Sequence, residues 1–388
     1  MFNFTWYNPT RIVFGKGQIS KLDSLLPKSG AVMMVYGGGS IKKNGVYNQV
    51  KKALGKRKVV EFAGIEANPR YETCMQAAAA GKKAKVAFVL AVGGGSVGDA
   101  SKFIAAAIKY KGRDPWDILA KGAAIKEALP LGCVITLPAT GTEANPNAVI
   151  SRDSTNEKLA FASDLVRPVF SILDPETTYT LDKRQTANGI VDTFIHVCEQ
   201  YLTYPNNAPL QDRQAEAILQ TLVEIGPKLL KNPKNYDLRA TMMYAAYQGL
   251  DFHLARGVPQ DWTTHTIGHE LTALYGIDHA VTLAIIQPGV WTFCKKAKSA
   301  KLLQYGERVW GIRGGSADAR IKMAIEKTEK FYRSLGVKTY LDEFKEIDRN
   351  VAALVRKRLE ERGGAQMGEH RDITPDKVEK ILKLRWKK

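Results

Sequence analysis

Two stretches constrain this chain more than any others. A continuous apolar run at residues 31–36 ends in Gly37-Gly38-Gly39-Ser40, and a second at 86–92 ends in Gly93-Gly94-Gly95-Ser96. A strand that is apolar throughout is buried on both faces, the condition of a parallel sheet covered by helices. The intervening segments agree. Residues 59–62 and 133–137 read as further strands, 71–83 and the alanine-rich 97–110 as helices, and 148–151 and 169–173 as additional strand-like runs. After residue 181 helical patterns take over, at 191–202, 212–230, 239–255, 262–275, 280–293, 317–335 and 351–361. The pattern predicts an α/β domain with a parallel, Rossmann-like sheet over residues 1–180 and an all-α domain over 181–388. A chain of 388 residues also suits two cores better than one.

Composition narrows the function classes. At 45% apolar and 25% charged residues the chain is neither disordered nor fibrous. No apolar run approaches the roughly 20 residues of a membrane helix, so no membrane partner is expected. The first residues lack the features of a signal peptide, and a cytoplasmic protein is expected. Cys74, Cys133, Cys198 and Cys294 form no C-x-x-C pair, which argues against a disulfide framework or a thiolate zinc site. The net charge of +18 raises the question of nucleic acid. The lysines are spread along the chain, however, with no aromatic-interleaved basic stripe and no zinc finger. No nucleic-acid partner is expected. Such a charge also favours attraction of an anionic cofactor.

The glycine loops bear on that cofactor. Glycine lets a backbone approach a ligand closely, and free N–H groups at a following helix start attract phosphate. Gly93, Gly95 and Gly98 match the dinucleotide G-x-G-x-x-G string between a strand and a helix. One such loop is often only a tight turn. Two at strand ends of one sheet point to a ligand, because ligands gather beyond the carboxyl ends of parallel strands. A third loop, Thr136-Leu137-Pro138-Ala139-Thr140-Gly141-Thr142-Glu143-Ala144-Asn145, offers hydroxyls suited to phosphates, ribose or amide.

Five of the six histidines fall between 196 and 279. Asp192 and His196 are four apart and share one helix face. His265 and His269 repeat that spacing on another helix, which should stop at the C-cap Gly276, with His279 just beyond. An unbroken helix would carry His279 about 21 Å from His265, whereas a turn at Gly276 can return it. An aspartate with two or three imidazoles and no thiolate suits Zn²⁺ or Fe²⁺ with positions open to substrate. A hydrogen-bonded Asp/His pair in acid–base catalysis is the other reading of the same residues. His253 and His370 read as ordinary core or surface residues.

Taken together, the chain resembles the iron-containing (group III) alcohol dehydrogenases end to end. The motifs are Asn68-Pro69, Gly93–Lys102, Thr140-Gly141-Thr142-Glu143, Asp192–His196 and His265–His279. Val258-Pro259-Gln260-Asp261-Trp262 and His269-Glu270-Leu271-Thr272-Ala273 are most similar to the NADPH-dependent aldehyde reductase and butanol dehydrogenase branch. The resemblance implies the dehydroquinate synthase-like fold of that family, and Asp192, His196, His265 and His279 as ligands of one Fe²⁺ or Zn²⁺. It implies His269 as a non-ligand proton-relay group near the nicotinamide. Gly94, Gly95 and Ser96 are then expected at the pyrophosphate with Asp99 nearby, and Thr136, Thr140, Thr142, Asn145 and Lys158 at the ribose and nicotinamide. Asn68 and Tyr179 complete the expected cofactor contacts. NAD-preferring members resemble one another in an Asp after the first strand, where this chain has Gly38, then Gly39 and Ser40. With no carboxylate to repel a 2′-phosphate, NADPH is expected over NADH, with Ser40 and Lys43 meeting the phosphate.

The implied reaction is reduction of a small aldehyde to an alcohol, reversibly, by a homodimer. The alternatives weighed are a glycerol dehydrogenase-like or other polyol oxidoreductase using NAD, a dehydroquinate synthase, a nucleotide sensor and a basic nucleic-acid binder. A synthase would carry Glu at the place of Asp192, and a sensor would need no Asp/His set.

Overall fold

The computed structural model describes every residue except Ala365 and Lys388. Six strands form one parallel sheet: β1 (Arg11–Phe14), β2 (Ala31–Tyr36), β3 (Val59–Phe62), β4 (Val86–Gly93), β5 (Leu131–Ile135) and β8 (Phe170–Leu173), in the spatial order β1-β8-β5-β4-β2-β3. The two apolar runs are the neighbouring strands β2 and β4, paired from Ala31 to Tyr36. Alternate side chains feed two cores. Met33, Val35, Val89 and Ala91 pack on one face with Ala100, Phe103 and Ile104. Val32, Met34, Leu90 and Val92 pack on the other with Val46, Val50 and Leu54. Burial on both faces is why neither strand alternates polar with apolar.

The covering helices are α1 (Val46–Leu54), α2 (Tyr71–Ala84) and α3 (Gly95–Lys109). The run at 148–151 is not part of this sheet. It belongs to β6 (Asn147–Arg152), which pairs antiparallel with β7 (Glu157–Ala162) in a separate hairpin.

Leaving aside one-turn helices, the chain continues with α4 (Lys183–Tyr201), α5 (Pro209–Lys231), α6 (Tyr236–Gly249), α7 (Thr263–Tyr275), α8 (His279–Phe293), α9 (Ser299–Trp310), α10 (Ala317–Ser334), α11 (Val351–Glu361) and α12 (Pro375–Lys383). The chain forms two compact units. Tyr7–Asp182 with Pro233–Asp251 makes the sheet unit; Met1–Trp6, Lys183–Asn232 and the chain from Phe252 onward make the helical one. Residues 1–6 and helix α6 therefore depart from a single cut near residue 180. Helical periodicity reports local structure, not the core a helix joins.

Within the helical unit, α7 ends at Gly276, whose φ of 65° is the left-handed C-cap conformation, with its N–H on Thr272 O at 2.9 Å. Three residues later α8 begins at His279. Asp278, just before it, accepts hydrogen bonds from Arg184 (2.6 Å) and Asn188 (2.8 Å) of α4, which fixes where α8 starts relative to α4. Among the described residues no helix is long and apolar enough to cross a membrane.

Candidate active site

Three helices of one unit deliver the histidine cluster. Asp192 and His196 lie one turn apart on α4, His265 on α7, and His279 at the first position of α8. The Nε2 atoms of His196, His279 and His265 stand 3.7, 3.8 and 3.9 Å from the same oxygen, Asp192 Oδ1. These separations are too long for hydrogen bonds. Two donors about 2.1 Å from one ion lie about 3–3.5 Å apart, slightly inside the distances seen. One ligand atom each from Asp192, His265 and His279 falls within 4.8 Å of the others. His196 stands beside that set, its ring stacked on that of His265 at 4.6 Å. Asp192, His196 and His265 are buried, and His279 is half-buried.

Glu199, which the sequence reading did not single out, lies behind this cluster. It is seven residues after Asp192, hence on the same face of α4. Its Oε2 hydrogen-bonds His265 Nδ1, and its Oε1 accepts the Thr264 N–H at 2.7 Å. The one available signal was an acidic residue in register with two candidate ligands.

His265 also tests whether a divalent cation suits these residues. Its Nδ1 is engaged by a carboxylate, while its buried Nε2, directed at Asp192, has no hydrogen-bond partner. Burial alone would lower its pKa, yet the charges of Glu199 and Asp192 overcome that and push it up to about 9. The cluster thus demands positive charge. Carboxylate–histidine–metal triads have this arrangement, and a divalent cation fits it.

His269 sits one turn beyond His265 and half-buried, its ring 5.3 Å from that of His279. His370 stacks on Tyr204 instead.

In the sheet unit the two glycine loops are neighbours, since Tyr36 and Val92 pair at the ends of β2 and β4. The loop after β4 opens α3, whose N-cap Gly94 leaves the first-turn N–H groups without a side-chain cap, an arrangement suited to phosphate. Two of its glycines have a different task. A Cβ on Gly95 would fall 2.5 Å from Thr140 Oγ1, and one on Gly98 would fall 2.5 Å from Thr142 Cγ2. They let the third loop close against α3.

That loop is held from inside. Asp99 accepts Thr142 Oγ1 (2.8 Å) and the Val149 N–H (2.9 Å), so both its oxygens serve the protein. Buried Lys102 donates to Asn145 Oδ1 and Asn147 O, both at 2.8 Å, and Asn145 Nδ2 donates to Thr140 O at 2.9 Å. Burial pushes the Lys102 ammonium down to about 8.

The other expected residues form a second group. Lys158 Nζ donates to Asn68 Oδ1 at 2.8 Å, and the Asn68 N–H reaches Ser96 Oγ at 3.4 Å. Thr136 donates its N–H to Gly93 O at 2.9 Å. Gly39 takes the left-handed φ of 98°, and the space beyond Gly38 is open. Tyr179 closes the turn Pro175–Thr178, and the next residue, Thr180, accepts a hydrogen bond from Asn44 beside the Ser40–Lys43 segment.

The family model for iron-containing alcohol dehydrogenases matches residues 9–175, and that for the C-terminal part of the Fe-containing alcohol dehydrogenase family matches 186–386. The chain belongs to the iron-containing alcohol dehydrogenase family. It is an enzyme of that family, as the motifs suggested. Over 383 residues, 98% of this chain and 99% of the other, it is 54% identical to the NADPH-dependent aldehyde reductase YqhD of Escherichia coli K12. It is 41% identical over 388 residues to the probable NADH-dependent butanol dehydrogenase 1 of Bacillus subtilis, covering 99% of both chains. The crystal structure of YqhD superposes with a TM-score of 0.97 at 53% identity, covering 99% of each chain. These iron-containing alcohol dehydrogenases span both nicotinamide cofactors in their names, so the choice between them rests on this chain's own loops.

Proposed function

We propose that this enzyme reduces small aldehydes to alcohols, reversibly, with NADPH, at a centre that holds one Fe²⁺ or Zn²⁺ between Asp192, His196, His265 and His279. The observation that carries the reading is the convergence of three imidazole Nε2 atoms on one oxygen of Asp192.

When bound, the cation supplies Lewis acidity at the substrate oxygen and the cofactor supplies hydride. The residues do the rest. Glu199 holds His265 by Nδ1 and so keeps Nε2 directed at Asp192. His269 stands outside the ligand set and delivers the proton that the new hydroxyl requires. The α3 N-terminus with Gly94, Gly95 and Ser96 receives the pyrophosphate. Asp99 and Lys102 hold the Thr140–Asn145 loop, with Thr140, Thr142 and Asn145, beside it. Asn68, Lys158, Thr136 and Tyr179 are assigned to the rest of the cofactor.

NADPH preference is supported by the Gly38-Gly39-Ser40 loop, which presents no carboxylate, with Lys43 close by in sequence. A homodimer in the cytoplasm belongs to the same reading. All four cysteines are free, in keeping with a reducing compartment.

The test is NADPH oxidation against an aldehyde panel, run on metal-stripped enzyme reloaded with single metals. Turnover should vanish on stripping and return with Fe²⁺ or Zn²⁺. Full turnover after complete metal removal defeats the proposal. The same assay on Gly38→Asp, a change the open space at Gly38 accommodates, should lower the NADPH/NADH preference at least tenfold. An unchanged ratio removes this loop from cofactor choice.

A further inference from the structure

Behind the histidine cluster one buried lysine ties three segments of the helical unit together. Lys298, just before α9, donates to Leu202 O past the end of α4 (2.7 Å), to Asp261 Oδ2 ahead of α7 (2.8 Å), and to Glu369 Oε1 beyond α11 (2.7 Å). An ammonium has three N–H donors, and all three are used. Its side chain is only 3% exposed, and those of the two carboxylates are 6% and 5%.

The bonds continue toward the cluster. Asp261 Oδ1 accepts the Thr263 N–H at 2.9 Å at the start of α7, and the Asp261 N–H donates to Glu199 O at 2.9 Å. Glu199 in turn takes the Thr264 N–H and His265 Nδ1. An unbroken path therefore runs from Lys298 through Asp261 and Glu199 to His265.

A buried lysine between two carboxylates is a poor way to gain stability, because apolar residues of the same volume often do as well. What such a group provides and an apolar one does not is directional registration of the segments it bonds. Here those segments are the end of α4, which carries Asp192 and His196, and the start of α7, which carries His265. We infer that Lys298 is a positioning residue for the metal centre: with Asp261 and Glu369 it fixes the first turn of α7 against the last turn of α4, so that Glu199 meets His265 Nδ1 and the imidazoles converge on Asp192. This rests on the metal reading above.

The experiment strips wild type, Lys298→Met and Lys298→Met/Glu369→Gln of metal, then measures Zn²⁺ affinity against a chromophoric chelator and the visible spectrum of the Co²⁺-loaded proteins. Loss of partners behind metal ligands typically weakens metal binding by about 10–100-fold. Lys298→Met should remain folded by circular dichroism, bind Zn²⁺ at least tenfold more weakly, and show an altered Co²⁺ band, with NADPH affinity within twofold of wild type. The double variant removes one of the two buried carboxylates that the lost ammonium leaves behind. It should recover thermal stability while its Zn²⁺ affinity stays low.

Zn²⁺ affinity within twofold of wild type and an unchanged Co²⁺ spectrum in Lys298→Met overturn the inference, however far stability falls. Recovery of stability and affinity together in the double variant overturns it too, since charge imbalance would then be the whole effect. Should Lys298→Met not fold, Glu369→Gln carries the test: about threefold weaker Zn²⁺ binding supports the tie, and wild-type affinity refutes it. Wild type that binds no stoichiometric divalent ion sinks the metal reading itself, an outcome distinct from all of these.

Discussion

Glu143 is enclosed in the sheet unit at 1% exposure, with no hydrogen-bond partner for its Oε1. Burial pushes its carboxyl up to about 7, against the pull of its own backbone N–H and of Lys102. An acid whose folded pKa exceeds its unfolded value of about 4.3 binds more protons when folded, so stability falls as pH rises between about 4.3 and 7 and is level above that. Glu143→Gln keeps the volume and removes the ionisation. At pH 8 it should be more stable than wild type, by at most about 4 kcal/mol at about 1.4 kcal/mol per pKa unit. Urea unfolding at pH 5 and pH 8 measures this. An equal pH dependence in variant and wild type would show that Glu143 does not titrate in that range. Single residues differ in how far the sequence exposes such roles. The convergence of Asp192, His196, His265 and His279 is legible because helical spacing pairs them and Gly276 explains the return of the fourth. Glu199 and Lys298 are not. One acid in a helix and one lysine in a lysine-rich stretch look like surface residues until the fold buries them.

At the scale of elements, α3 and the loop that closes on it show where a motif is only half read. The G-x-G-x-x-G string points to phosphate, and the N-terminus of α3 agrees. Yet Gly98 is required by Thr142, which occupies the space its Cβ would need. In an ordinary helix interior Gly→Ala gains about 1 kcal/mol. Here the overlap reverses the sign. Gly98→Ala should lose about 1–3 kcal/mol, the usual cost of overpacking, and weaken NADPH binding by displacing Thr142 and Thr140. Thermal unfolding and fluorescence titration with NADPH read the two effects. A variant more stable than wild type with unchanged NADPH affinity would mean that the loop does not depend on this contact. The same scale explains the elements themselves. Strands β2 and β4 are legible because burial on both faces leaves no polar residue in them. The β6–β7 hairpin is less so, since β7 carries Glu157 and Lys158 among apolar residues and gives no clean period. Helix α6 is readable as a helix, but nothing in its periodicity says that it joins the sheet unit.

For the whole molecule, the expected ligands divide between the two units. The histidine cluster lies on α4, α7 and α8, while the expected nucleotide residues lie on the loops after β2, β3, β4, β5 and β8, on the start of α3 and on β7. A ligand that binds only the folded state stabilises it by about 2.7 kcal/mol at a hundredfold excess over its Kd, and local opening reports where that energy is felt. Metal removal should therefore raise hydrogen exchange in α4, α7 and the start of α8 first, with residues 93–102 and 140–149 little changed. NADPH added to the metal-free enzyme should protect those latter residues most and the three ligand helices less than Zn²⁺ does. Peptide-level hydrogen exchange on four samples, with and without Zn²⁺ and NADPH, resolves the two patterns. Protection of α4 and α7 by NADPH alone as strong as that by Zn²⁺ would mean that cofactor binding orders the metal site without the metal, and the assignment of separate tasks to the two units would then be wrong.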